Sequence, residues 1–147
     1  MDIVSNDELL YRRIPYAAEG PFFYSLQPDG TVRISSTAFG DRNRRVSVDR
    51  AQLNNFEPAI TQTTSDDGVV ELLTRAVRAV SVSTNDKDGK PIQQHLLDVM
   101  SAPLPGNPVH AEIIADPDIV KDNTFKRLRE QLARLSSWIV YPVDCRR

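Results

Sequence analysis

Cysteine, histidine and glycine are scarce in this chain, and each scarcity closes off a kind of chemistry. A single thiol, Cys145, cannot form an internal disulfide, which points to a reducing, cytoplasmic setting. One Cys and two His leave no material for a structural zinc site, which takes about four such ligands, so no metal is expected. Six glycines fall into neither G-x-x-x-x-G-K nor G-x-G-x-x-G, so no phosphate loop, dinucleotide fingerprint or bound cofactor is expected. The G-x-S-x-G elbow, C-x-x-C and H-E-x-x-H are absent too. No apolar run approaches the roughly 20 residues that span a bilayer. The acidic opening, Met1 to Glu8, lacks the basic start and apolar stretch of a secretion signal, and no membrane partner is expected.

What is present is ordinary for a globular protein. The chain has 147 residues, 40% hydrophobic and 26% charged, which fits one domain over residues 1–147. A net charge of −2 argues against a general nucleic-acid coat. The basic residues are skewed, 14 Arg to 4 Lys, and the planar arginine fork suits carboxylates and phosphates.

Local patterns predict the elements. Asp7 to Ile14, with Ser5 or Asn6 placed to cap it and Pro15 to stop it, reads as a short helix, or else Leu10 to Ile14 reads as a strand. Phe22 to Leu26 and Thr31 to Ser36 flank Gln27-Pro28-Asp29-Gly30, a hairpin signature. Val46-Ser47-Val48-Asp49 alternates as a short strand, with Asp49 placed to cap a helical turn at Arg50 to Leu53; residues 54–67 read as a surface loop. Ser65-Asp66-Asp67 before Gly68 to Arg75 predicts a helix, because Val69, Leu72 and Leu73 recur at i, i+3 and i+4. A strand is expected from Val77 to Val82, a second from Ile92 to Met100 after the turn at Asn85 to Lys90, and a third from Val109 to Ile114. Phe125, Leu128, Leu132, Leu135 and Trp138 fall at helical spacing and predict an amphipathic C-terminal helix. The sum is an α+β domain, with a mainly antiparallel sheet of hairpins packed against that helix and one shorter one.

The candidate functional residues are few. His95 and His110 fall on strands expected to be neighbours. With Glu112 two residues beyond His110, they are the candidates for acid–base work, histidine being the side chain that titrates near neutral pH. Arg42, Arg44 and Arg45, flanked by Arg33 and Arg50, make a basic loop that suits phosphate or an acidic partner surface, and Arg13 is a further candidate for that role. Cys145 is expected in a terminal segment free to fray.

Two resemblances accompany these residues. Arg12 or Arg13, then Ser35-Ser36-Thr37, then Glu112 loosely resemble the Arg, Ser-Thr-Ser and Glu order of mono-ADP-ribosyltransferase folds. That likeness implies an arginine on the NAD phosphates, a serine-bearing strand shaping the pocket and a glutamate steering the ribose. The triplet departs from the pattern as Ser-Ser-Thr. More of the chain, Leu10 to Ile14, Ser35 to Phe39, Val46 to Ala51 and Asn107 to Glu112, resembles a group of small bacterial proteins with no activity attached. Two functional readings follow. One is an interaction or accessory protein that binds another protein through its arginines or its terminal helix. The other is an enzyme or binder directed at a nucleotide or nucleic acid.

Overall fold

Leu9–Ile14, for which the sequence allows helix or strand, forms strand β1 near the middle of a large antiparallel sheet. The computed structural model describes residues 2–16, 23–41, 44–116 and 122–146. Among these, β2 (Tyr24–Leu26), β3 (Val32–Ile34), β4 (Val46–Arg50), β5 (Gly68–Leu73), β6 (Ser81–Asn85), β7 (Pro91–Ser101), β8 (His110–Asp116) and β9 (Ser137–Val140) follow β1. They are interspersed with the short helices α1 (Pro58–Thr61) and α2 (Thr74–Arg78) and the longer α3 (Asp122–Leu135). Seven strands pair in the order β6-β7-β8-β4-β1-β5-β9, every pairing antiparallel, and β2 and β3 form a separate hairpin. The α+β class expected from the sequence is the observed one.

The sheet has two unlike faces. Val46, Val48, Leu10, Ile14, Val70, Leu72, Leu97, Val99, Ala111 and Ile113 point to the core face, where α3 seats Phe125, Leu128 and Leu132. Each of those helix residues contributes roughly 1.5–3 kcal/mol on full burial. The β2–β3 hairpin closes one end of this core through Tyr24, Val32 and Ile34, and Trp138 Nε1–H donates to the Val32 carbonyl at 2.9 Å. On the outer face, Tyr11, Val69 and Ala51 form a smaller apolar cluster.

Several local expectations are corrected. Gly68–Leu73 is strand β5, not a helix. Its apolar residues fit helical spacing, but they also fit a strand buried on both faces, with Val70 and Leu72 inward and Val69 against Tyr11. Asp67, read as part of a helix start, instead anchors a loop by accepting from the backbone N–H groups of Tyr16, Thr63 and Thr64. Val77 lies in helix α2, and the next strand begins only at Ser81. Asp49 does not cap the 3-10 turn Ala51–Asn54; the capping position is Arg50, which makes no side-chain cap bond. Trp138 sits beyond the end of α3, on β9 opposite Val70. The terminal segment is tied down: Val143 N–H donates to the Asp66 carbonyl at 3.0 Å, and the Arg146 guanidinium donates to the Tyr141 and Ser65 carbonyls. Phe22 of the expected hairpin lies outside the described residues.

Candidate functional site

The two histidines do not meet. β7 and β8 are neighbours as expected, but His95 lies on the core face with Leu97 and Val99, whereas His110 faces the other way. Along β7, His95 and the position opposite His110 are about seven residues apart, roughly 23 Å at the strand rise. Glu112 shares the outer face with His110 and pairs with Arg45 at 3.4 Å.

The arginines are largely engaged within the chain. Arg44 pairs with Asp122, Arg45 with Glu112, and Arg13 with Asp67 at 3.5 Å. Arg12 donates to the Asp41 carboxylate, the Ala38 carbonyl and, at 2.7 Å, the Ser47 carbonyl. Arg50 is buried; its guanidinium grips Glu8 with two bonds of 2.9 Å and also pairs with Asp2. Arg42 lies outside the described residues. Ser35 caps the 3-10 turn Ser36–Phe39, so the Ser-Ser-Thr triplet forms a cap and turn where the ADP-ribosyltransferase pattern implies a strand.

Three places carry more than structural interest. The first is a polar cleft of about 400 Å³ where β1 and β4 part company. These strands share only the pairs Leu10–Arg50 and Tyr11–Asp49, and Arg12 reaches across the gap beyond them. Tyr11, Asp49 and His110 stand in one row across β1, β4 and β8, each opposite the next. Directly opposed side chains on one face have Cβ atoms about 4.5–5.5 Å apart. All three are at least nine-tenths buried, and all three line the cleft. Asp49 accepts from Thr61 Oγ1 at 2.8 Å and Asn107 Nδ2 at 2.9 Å. His110 Nδ1 lies 2.8 Å from the Ala102 carbonyl. Burial, with Glu71 and Glu57 nearby, holds the Tyr11 phenol above its ordinary pKa, so it stays protonated.

The second place is an apolar knob on the segment from the turn Ala51–Asn54 through α1. Leu53, Phe56 and Ile60 are 49%, 53% and 58% exposed. Asn55 and Phe56 both have left-handed backbone, with φ of 55° and 57°. Asn commonly ends a helical turn this way, whereas a bulky side chain there is an outlier. Beneath them the Asn54 side chain is buried with neither its oxygen nor its nitrogen bonded.

The third is a hollow of about 960 Å³ between the β2–β3 hairpin, the end of α3 and β9. Arg33 and Arg134 stand on its rim with Glu130, over Tyr24 and Trp138, whose rings meet edge to face at 6.1 Å.

No protein-family model matches the sequence, and neither a curated protein nor a solved structure is detectably similar to it. The roles of these residues therefore rest on geometry. Among them, Asp49, Tyr11, Thr61 and Phe56 escape a reading of the sequence. Alternation along Val46–Asp49 puts Asp49 on a polar face, yet nothing local says that this face meets His110.

Proposed function

We propose that the protein is a small cytoplasmic interaction module that binds another protein through the knob of Leu53, Phe56 and Ile60. The observation that carries this reading is Phe56, an aromatic ring held half in solvent by a left-handed backbone. Backbone held in such a region costs about 1–3 kcal/mol, and such strain clusters at functional positions. A buried amide without partners, as at Asn54, costs about 1–3 kcal/mol more. Both costs fall on the segment that presents the apolar side chains, and buried aromatic anchors dominate protein interfaces. Arg13, Arg44 and Arg45 act first as internal ties, so the apolar knob is the better anchor. The cytoplasmic setting is supported by the lone thiol. Burial and the adjacent Asp144 push the Cys145 pKa up, so it stays a protonated, unreactive thiol. Among the described residues no helix is long and apolar enough to cross a membrane.

Phe56→Gly separates binding from folding, because it removes the ring while relieving the left-handed strain. The variant should melt at or above the wild-type temperature and lose partner capture. A photo-crosslinking residue placed at 56 in cells that express the protein should give a discrete adduct that the same residue at exposed Gln94 does not. Identical adducts at both positions, or undiminished capture by the glycine variant, would refute the reading.

A second reading, binding of a nucleotide, is favoured by the 960 Å³ hollow, where two arginines flank two aromatic rings. Trp138 is the one tryptophan, so its fluorescence reports on that hollow directly. ATP should quench it in the wild type and not in an Arg33→Ala/Arg134→Ala variant; no response to ATP removes this reading.

A further inference from the structure

The cleft between β1 and β4 holds two neighbouring acceptors, Asp49 and His110, with no cation paired to either among the described residues. His110 Nδ1 has only a carbonyl, that of Ala102, within reach, so Nδ1 must carry the proton and donate it. In the neutral ring that leaves Nε2 as a bare lone pair. Among the described residues Nε2 has no hydrogen-bond partner. The ring is buried and lines the cleft.

Beside it stands Asp49. The other charges on the cleft wall cancel locally: Arg12 is bound to Asp41, and Arg13 to Asp67. Asp49 receives one hydrogen bond on each oxygen, both from neutral groups, and forms no ion pair among the described residues. With the His110 ring neutral, the described residues of the cleft present one carboxylate without a cationic partner and one imidazole lone pair on adjacent strands, with the Thr61 hydroxyl donating to the carboxylate. A carboxylate has about four lone-pair sites, so two remain for a ligand. An anion meets repulsion here, and a neutral polar ligand leaves the charge unanswered. A protonated amine answers both, because an ammonium carries three donors and a compensating charge.

We propose that this cleft binds a small primary amine or guanidinium, with Asp49 as its counter-charge and His110 Nε2 as a second acceptor. The inference stands apart from the partner-binding reading, since it uses none of the residues of the apolar knob. The cleft's volume admits a chain of several carbons carrying such a group.

Three probes of equal length test it on the full chain: 1,5-diaminopentane, 1,5-pentanediol and glutarate. NMR of the two histidine rings gives the readout, with His95 on the opposite face as internal control. The diamine should shift the His110 ring signals in a saturable way and leave His95 unmoved, while the diol and the diacid do neither. Asp49→Asn should weaken diamine binding roughly ten- to a hundredfold, the worth of a hydrogen bond to a charged group. His110→Phe keeps a ring in place and removes the lone pair, and should weaken it as well. If Asp49→Asn does not fold, the wild-type probe series and His110→Phe still decide the matter. Equal response to diamine and diol, His110 signals that stay fixed, or full affinity in a folded Asp49→Asn protein would overturn the proposal.

Discussion

Replacing Glu8 by Gln tests the energetic reasoning most directly. Glu8 and Arg50 each expose only 6% of their side chains, and two 2.9 Å bonds join them in a fork-to-fork pair. The Ser5 N–H donates to Glu8 Oε2 at 2.7 Å, while the Glu8 carbonyl accepts from Thr74. The pair thus ties the N-terminal arm to the end of β4. Burial alone would raise the Glu8 pKa, but the bonds from Arg50 and Ser5 outweigh it and hold the carboxyl below its ordinary 4.5. The bonds to Glu8 and Asp2 in turn raise the Arg50 pKa against the effect of burial. In Glu8→Gln, the new amide turns one donor toward a guanidinium that is itself all donors, and leaves a buried cation short of charge. Removing one member of a buried pair costs about 3–5 kcal/mol. Asp2, two-thirds exposed, still reaches Arg50, which favours the lower end, about 3 kcal/mol. For a chain of this size that lowers Tm by roughly 6–12 °C. Thermal and urea unfolding at neutral pH measure it, and a cycle with Arg50→Met isolates the coupling. A fall in Tm below about 2 °C, or a double variant equal to the sum of its parts, would refute the assignment.

Other expectations follow from single contacts. A Cβ at Gly68 would lie 2.7 Å from Trp138 Cζ3 and 3.1 Å from Pro142, so Gly68→Ala should cost about 1–3 kcal/mol and shift the tryptophan emission. Acid should destabilise the fold through Glu8 and Asp67. Burial raises the Asp67 pKa, but three backbone N–H groups and Arg13 pull it below its ordinary 3.8. Carboxyls held down in the folded state stabilise it fully above their unfolded values and lose that contribution as pH falls toward the folded ones. Stability should therefore drop from about pH 5 downward, as the pH passes 4.5 and then 3.8, and Glu8→Gln should flatten that limb in acid denaturation curves.

The fold class and the β6-β7-β8 meander are legible in the sequence because hairpins and an amphipathic helix are written in local periodicity. The buried stripe of α3, Phe125, Leu128 and Leu132, needs no partner to be recognised. It also shows why that helix is a poor docking face: its apolar residues are already in the core. Gly68–Leu73 misleads because a strand buried on both sides has no period-two signature. The candidate site was far less legible. His110 stands out by residue type alone, but its row with Asp49 and Tyr11 depends on pairings between strands about 40–60 residues apart. Phe56 is hidden for a different reason, since composition carries no mark of a left-handed backbone at an aromatic residue.

The brief pairing of β1 with β4 has a mechanical consequence. With only two residue pairs between them, the sheet is in effect two plates, β6-β7-β8-β4 and β1-β5-β9, joined along a seam by a few amides and the guanidinium of Arg12 acting as a rivet. Any flexing of the plates concentrates on that line, and Asp49 and Tyr11 sit on either side of it.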